Sequence, residues 1–417
     1  MNKRIKLNLP FFIFKKLNSY RDKNNISSRI IKIAFFSVFL GFFVSLSAVS
    51  IGKGLQRSIK SKLYSINPDL VISTYENINR GVYTEKIKNI ESVIDSIKNI
   101  KEINKVNYSI EVPSLISKNN IIETLIFKGL DDKYDYENIN QFILKDENII
   151  EKIEPNEIII SKNLFDQFNL SLNESLLLYF QTNSNQKIPN IRKYKIRGVF
   201  QTDFPDFDDN YLLGNLSSLQ NLNGWGSNEF SAIEISLADK SNIDKIEKKI
   251  NSLDPINRNN LVVQSVESKF QNIFNWVTIF DFNIILILVL MIIVSIISVI
   301  ISTLCMVFER IKMIGILSSI GSSNRFIGRI FFYYGIEVLI KGILSGNLFF
   351  LLAYYIQNKY EIIRLNSSDY YVDSLPFILD FSILFYVNLT FIFISGFTLF
   401  LTFKSISKLV PIRNINT

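Results

Sequence analysis

The sequence contains no histidine and a single cysteine, Cys305. The first absence removes the usual general base and the commonest metal ligand, and with them every Ser-His or Cys-His nucleophile pair. The second excludes a disulfide or a zinc site built from this chain, and Cys305 lies within an apolar run, as a small packing residue would. A phosphate-binding loop is also missing: Gly52-Lys-Gly54 lacks the upstream glycine and the following Ser or Thr that would cradle a nucleotide. No compact basic face with interleaved aromatics stands out, so a net charge of +8 scattered through a Lys-, Asn- and Ile-rich background does not imply nucleic acid. No carboxylate pair has a context that would suggest a membrane-anchored enzyme.

What the sequence does have is apolar length. Hydrophobic residues make up 48% of 417 positions, 35 of them Phe, and mean hydropathy is +0.20. That is too apolar for an ordinary soluble protein and too polar for one wholly within a membrane. Four runs are long enough to cross roughly 30 Å of hydrocarbon: 33–51, 282–308, 330–356 and 381–403. Ser45 to Ser50 imitates a signal-cleavage site, but the segment 1–32 is long for a signal n-region, and a retained anchor explains the first run better.

Charge bias orients the spans. Nine basic residues, among them Lys3, Arg4, Lys6, Arg21, Lys23 and Lys32, precede the first span against Asp22 alone, which places the N-terminal segment in the cytoplasm. The segment 309–329 holds Arg310, Lys312, Arg325 and Arg329 against Glu309, and the tail 404–417 holds Lys404, Lys408 and Arg413 with no acid. The segment 357–380 is acidic on balance and belongs outside. The expected fold is a membrane α-helical protein of four transmembrane helices, with a large periplasmic α+β domain over 52–281 inserted between the first and second.

Within that domain, Leu55, Ile59 and Leu63 keep helical spacing, so the first span should continue outward as an amphipathic stalk. Residues 68–73 read as a strand. Residues 86–100 and 243–253 read as helices that each feed a strand, a split α+β subdomain flanking an insertion at about 121–226. The short apolar runs 157–161, 175–180 and 194–200 make that insertion β-rich. The acidic clusters Asp131-Asp132 and Asp206-Phe-Asp-Asp209 lack the glycine and distal glutamate of a calcium loop and read as solvated.

The segment 309–329 is longer than a turn needs. Met313, Ile314, Ile316, Leu317 and Ile320 recur at helical spacing, Gly321 follows as a left-handed stop, and Ser322 or Ser323 can cap a new helix. Periodicity alone admits two readings, a helix resting in the headgroups or a docking helix for a cytoplasmic partner.

Glu309-Arg-x-x-x-Ile-Gly-Ile-Leu317 followed by Ile320-Gly321 resembles the E-R-x-x-E-I-G-I-L-x-x-L-G signature of FtsX-like ABC permeases, most closely their lipoprotein-releasing (LolC/LolE) branch. Pro155 to Ser161, Arg197-Gly-Val-Phe200, Lys341-Gly342 with Gly346-Asn347, and Val410-Pro411-Ile412 look like family segments in family order. The chain departs at Met313, where many relatives carry an acid. The resemblance implies a multi-pass bacterial inner-membrane permease without a cofactor of its own, partnered by a LolD-like ABC ATPase that holds ATP and Mg. It implies a second permease copy or paralogue, a lipoprotein substrate with a periplasmic carrier, and membrane lipid as surroundings. MacB-like mechanotransmitting efflux and FtsX-like signalling are the alternatives. The elbow becomes a coupling helix, with Glu309, Arg310, Ile314, Leu317 and Gly321 as ATPase contacts.

Two further features lie in the third span. Glu337 and Lys341 stand four apart, roughly 10 Å and 16 Å from its cytoplasmic end, and form an ion pair expected to face the bundle. Gly342 and Gly346 make a small-xxx-small face suited to close contact with a second copy or partner permease.

Overall fold

The structure, a computed structural model, describes residues 9–19, 26–88, 90–118, 121–132, 134, 136–144, 150–180 and 189–409. Lys3, Arg4, Lys6, Arg21, Lys23, Arg413 and the family segment Val410-Pro411-Ile412 lie outside the described residues. Eight helices concern function: α1 (Leu9–Ser19), α2 (Ile26–Ile66), α3 (Ile90–Lys98), α4 (Ile243–Asn251), α5 (Gln271–Glu309), α6 (Ile311–Ser319), α7 (Asn324–Tyr360) and α8 (Phe381–Leu409). The nine strands are β1 (Leu70–Thr74), β2 (Ile103–Lys118), β3 (Ile121–Leu130), β4 (Glu157–Ser161), β5 (Ser175–Phe180), β6 (Asn190–Phe200), β7 (Tyr211–Asn215), β8 (Ala232–Leu237) and β9 (Leu261–Ser265).

The chain divides into two bodies. The first comprises residues 1–56, 277–364 and 374–417; among the described residues four helices are long and apolar enough to span a membrane, α2, α5, α7 and α8, and their apolar stretches lie in this body. Its core is Val38, Phe42 and Leu46 of α2 against Val338, Leu339 and Ile343 of α7 and Phe391 and Leu399 of α8. Asn347 and Asn388 exchange side-chain amide hydrogen bonds at 2.9 and 3.1 Å, which pins α7 to α8 where hydrocarbon offers no other polar partner. On α2 and α5, Lys53 pairs with Asp281 at 2.6 Å and the Gln56 amide donates to the Val277 carbonyl.

The second body, residues 57–276 and 365–373, is α+β. The stalk expected after the first span is present: α2 is a single helix to Ile66, with Leu55, Ile59 and Leu63 buried. The expected strands at 68–73, 157–161, 175–180 and 194–200 fall in β1, β4, β5 and β6. The helix expected over 86–100 is shorter, because the Ile87 N–H pairs with the Phe230 carbonyl at 2.8 Å and holds that segment extended. Helices α3 and α4 bury Ile90, Val93 and Ile97, and Ile243, Ile246 and Ile250, in the same core as the sheet.

Five strands, β3 to β7, fall within the expected β-rich insertion at about 121–226, and the sheet moves its boundary into β2. One edge of β2 pairs with β3 from Ser109 to Lys118, while the other pairs first with β8 (Ile103 to Ser109) and then with β5 (Ser114 to Ile116). From β3 the ladder runs through β7, β4, β6 and β5 back to β2. Those six strands close a barrel, filled by Phe127, Phe180 and Tyr194 with ring centroids 5.1 to 6.2 Å apart. The remaining order β2-β8-β1-β9 is an open antiparallel sheet. The barrel wall therefore begins at about Ser109, inside β2, and not at 121, because a 16-residue strand serves both parts.

Candidate functional site

The elbow is built by helix chemistry at both ends. After α5 ends at Glu309, the Arg310 carbonyl accepts from Ile314 N–H at 3.0 Å and starts α6. At the far end Ser322 N–H donates to the Leu317 carbonyl and Gly321 N–H to that of Ser318, both at 3.0 Å, with Gly321 at φ +89°. That is a Schellman stop, and only a residue without Cβ adopts this φ readily. Ser323 then caps α7, its Oγ accepting from Phe326 N–H.

Orientation of α6 separates the expected contact residues. Ile314 is 2% exposed, packed with Phe14 of α1, Met306 of α5 and Ile327 and Ile330 of α7; Met313 and Leu317 pack partly on the same cluster. Ile314 is thus an anchor of the elbow on its own bundle and unavailable to a partner in this conformation. The inward turn of Met313 accounts for an apolar residue there. The outer face offers Ile316 (61% exposed) and Ile320 (76%), four apart, with Ile311, Glu309 and Gly321 also exposed and Arg310 half-buried. Periodicity alone groups Ile316 and Ile320 with Ile314; in a helix of nine residues, with Lys312, Ser318 and Ser319 its only polar side chains, spacing does not decide which apolar stripe turns inward.

The structure revises both features of the third span. Lys341 and Glu337 do form an ion pair. Only its acidic end turns toward the bundle: the Glu337 side chain is 23% exposed, while that of Lys341 is 62% exposed beside Ile340, Leu344 and Leu348 on the outer face of α7. Gly342 and Gly346 are buried within the subunit: a Cβ on them would lie 2.5 Å from Val38 and 2.6 Å from Phe42 of α2. Their close approach is to the chain's own first span rather than to a second copy.

A polar site in the second body was not foreseen. Glu111, Lys128 and Glu234 project from β2, β3 and β8 on the sheet face opposite the main core, and Lys128 contacts Glu234 at 2.7 Å with the side chains 8% and 1% exposed. Glu234 also accepts from Ser109 Oγ at 2.6 Å, and Glu111 from Tyr83 N–H at 3.0 Å. Burial pushes the Glu111 carboxyl up, against the pull of Lys269 and Lys128. Burial alone would lower the Lys128 ammonium, but Glu234 and its other neighbours outweigh it and hold it above the ordinary lysine range. The legible signal was the repeated Ile110-Glu-Val112 and Ile233-Glu-Ile235, a lone acid between apolar neighbours on a strand. The acidic cluster 206–209 is also not wholly solvated: Asp208 is buried and accepts from Thr202 N–H and Oγ1 and from Asp203 N–H.

Comparison with known proteins gives two family matches, the MacB-like periplasmic core domain over residues 33–253 and the FtsX-like permease C-terminal region over 285–411. The chain is 26% identical over 349 residues to an uncharacterized membrane protein of Buchnera aphidicola, covering 81% of this chain and 80% of that one. It is 21% identical over 384 residues to the lipoprotein-releasing system transmembrane protein LolE of Haemophilus influenzae, covering 89% and 90%. The solved periplasmic region of MacB from Actinobacillus actinomycetemcomitans aligns with 49% of this chain and 92% of its own, at 16% identity and a TM-score of 0.33.

Proposed function

We infer that this chain, which belongs to the FtsX-like permeases with a MacB-like periplasmic core domain, is the membrane subunit through which a separate ABC ATPase drives lipoprotein release. It is an ABC-transporter permease of the bacterial inner membrane, crossing it four times. The observation that carries the proposed coupling is the elbow α6: anchored inward by Ile314, it leaves Ile316 and Ile320 uncovered, and the positive-inside charge bias places it in the cytoplasm. An apolar helix face rimmed by Glu309 and Arg310 suits a groove in a partner. Lipoprotein cargo is supported by the similarity to a LolE protein over most of both chains. MacB-like efflux is the second reading, supported by the match of the periplasmic body to the MacB-like core domain.

In liposomes carrying the chain, a partner ABC ATPase and a triacylated lipoprotein, ATP should drive release to a soluble carrier. ATP hydrolysis that responds to the permease without any release would favour the second reading. Ile316→Asp should abolish co-purification of the ATPase while membrane insertion persists. Normal co-purification would return the elbow to an interfacial role.

A further inference from the structure

Residues 365–373 join α7 to α8, yet they pack as part of the periplasmic body. Leu365 N–H donates to the Asp373 carbonyl at 2.9 Å, which closes the neck of this segment. At its tip the Tyr371 ring lies 5.0 Å from Phe204 and 6.2 Å from Trp276, and the Asp373 side chain bonds that of Asp203. Val372 is buried.

Both sides of this contact use left-handed backbone: Asp203 has φ +53°, which aspartate tolerates, and Tyr371 has φ +59°, a region that bulky residues rarely occupy and that persists only where the surroundings over-determine it. On the body side the surroundings are explicit. The buried Asp208 carboxylate accepts from Thr202 N–H (3.1 Å), Thr202 Oγ1 (2.6 Å) and Asp203 N–H (3.0 Å), holding the turn. Lys62 of α2 pairs with Asp203 at 3.2 Å, and Phe204 meets Phe270, just before α5, edge-on at 5.7 Å. One loop, 201–209, therefore touches the roots of α2 and α5 and the segment between α7 and α8. Packed side chains of this kind transmit displacement where loose loops do not.

We propose that residues 365–373 form a third transmission arm, which carries movement of the α7–α8 pair to the loop 201–209 through Tyr371 and Asp373, alongside the stalks α2 and α5. The proposal rests on the permease reading, and Tyr371 is a positioning residue in it. The test uses the full chain with its ATPase in vesicles containing a triacylated lipoprotein, measured as lipoprotein released per ATP hydrolysed. Tyr371→Gly removes the ring while suiting the left-handed backbone, so the melting temperature should hold or rise, yet release per ATP should fall roughly threefold or more. Tyr371→Phe, which keeps the ring, should match the parent chain. If the glycine variant folds poorly, Tyr371→Asn, which also tolerates this φ, takes its place with the same expectation. Parental release per ATP in the ring-less variant would overturn the arm and leave the permease reading standing. Absence of ATP-dependent release by the parent chain would overturn both.

Discussion

Replacing Lys128 with Met removes the cation that pairs with the buried Glu234 and stands opposite the buried Glu111 in the β2–β3 register. Lys128 and Glu234 are almost inaccessible to water and 2.7 Å apart, so neither charge is compensated by solvent. Losing one partner of such a pair costs about 3–5 kcal/mol, chiefly because the other charge stays buried alone. Lys269 reaches the rim of the same cavity but is itself half-exposed and can offset only part of this. For a body of this size the loss corresponds to a melting-temperature drop of roughly 6–20 °C. Both tryptophans, Trp225 and Trp276, belong to the periplasmic body, so intrinsic fluorescence of the full chain in detergent reports its unfolding. Neutralising the orphaned acids as well, in K128M/E111Q/E234Q, should recover most of the loss. A drop of under ~2 °C in the single variant, or no recovery in the triple, would refute the placement of uncompensated charge as the cause.

Gly346→Leu should destabilise the isolated subunit by at least about 1–3 kcal/mol, because its Cβ would meet Phe42 of α2 at 2.6 Å; an unchanged melt with loss of permease pairing would instead restore an intersubunit role. Lys341→Met removes the ion-pair partner of Glu337, a carboxylate 23% exposed within an apolar span, at a cost on the order of 2.5–3.5 kcal/mol seen as a lower yield of inserted protein, and E337M/K341M should restore it; equal yields would argue that the pair is watered. Burial pushes the Asp208 carboxyl up to about 6, so the folded state binds its proton more tightly than the unfolded state. The stability so contributed is present below about pH 4 and disappears as pH rises through about 6, on the order of 1–3 kcal/mol in all. Asp208→Asn should flatten that slope in pH-dependent melts, and parallel curves for the two proteins would contradict it.

The spans, the stalk and most strands were readable because each follows from a local property. Hydrocarbon thickness demands a minimum apolar length, and a half-buried strand demands alternation. The Gly321 stop and the Ser323 cap were readable for the same reason, since both satisfy helix-end groups within a few residues. The exposed pair Ile316 and Ile320 was less accessible. Which apolar stripe of a short helix turns inward depends on Phe14, Met306 and Ile327, which are remote in sequence.

Chemistry along the chain was enough to identify four apolar helices long enough to cross a membrane, the stalk and the elbow. Pairing across the chain decided the rest. Closure of the barrel depends on β2 meeting β3 on one edge and β5 on the other, and the burial of Glu111, Lys128 and Glu234 follows from three strands brought side by side. The glycines of α7 illustrate the same limit. A missing Cβ announces that something comes close, but only the packed helices show that it is Val38 and Phe42 of the same chain.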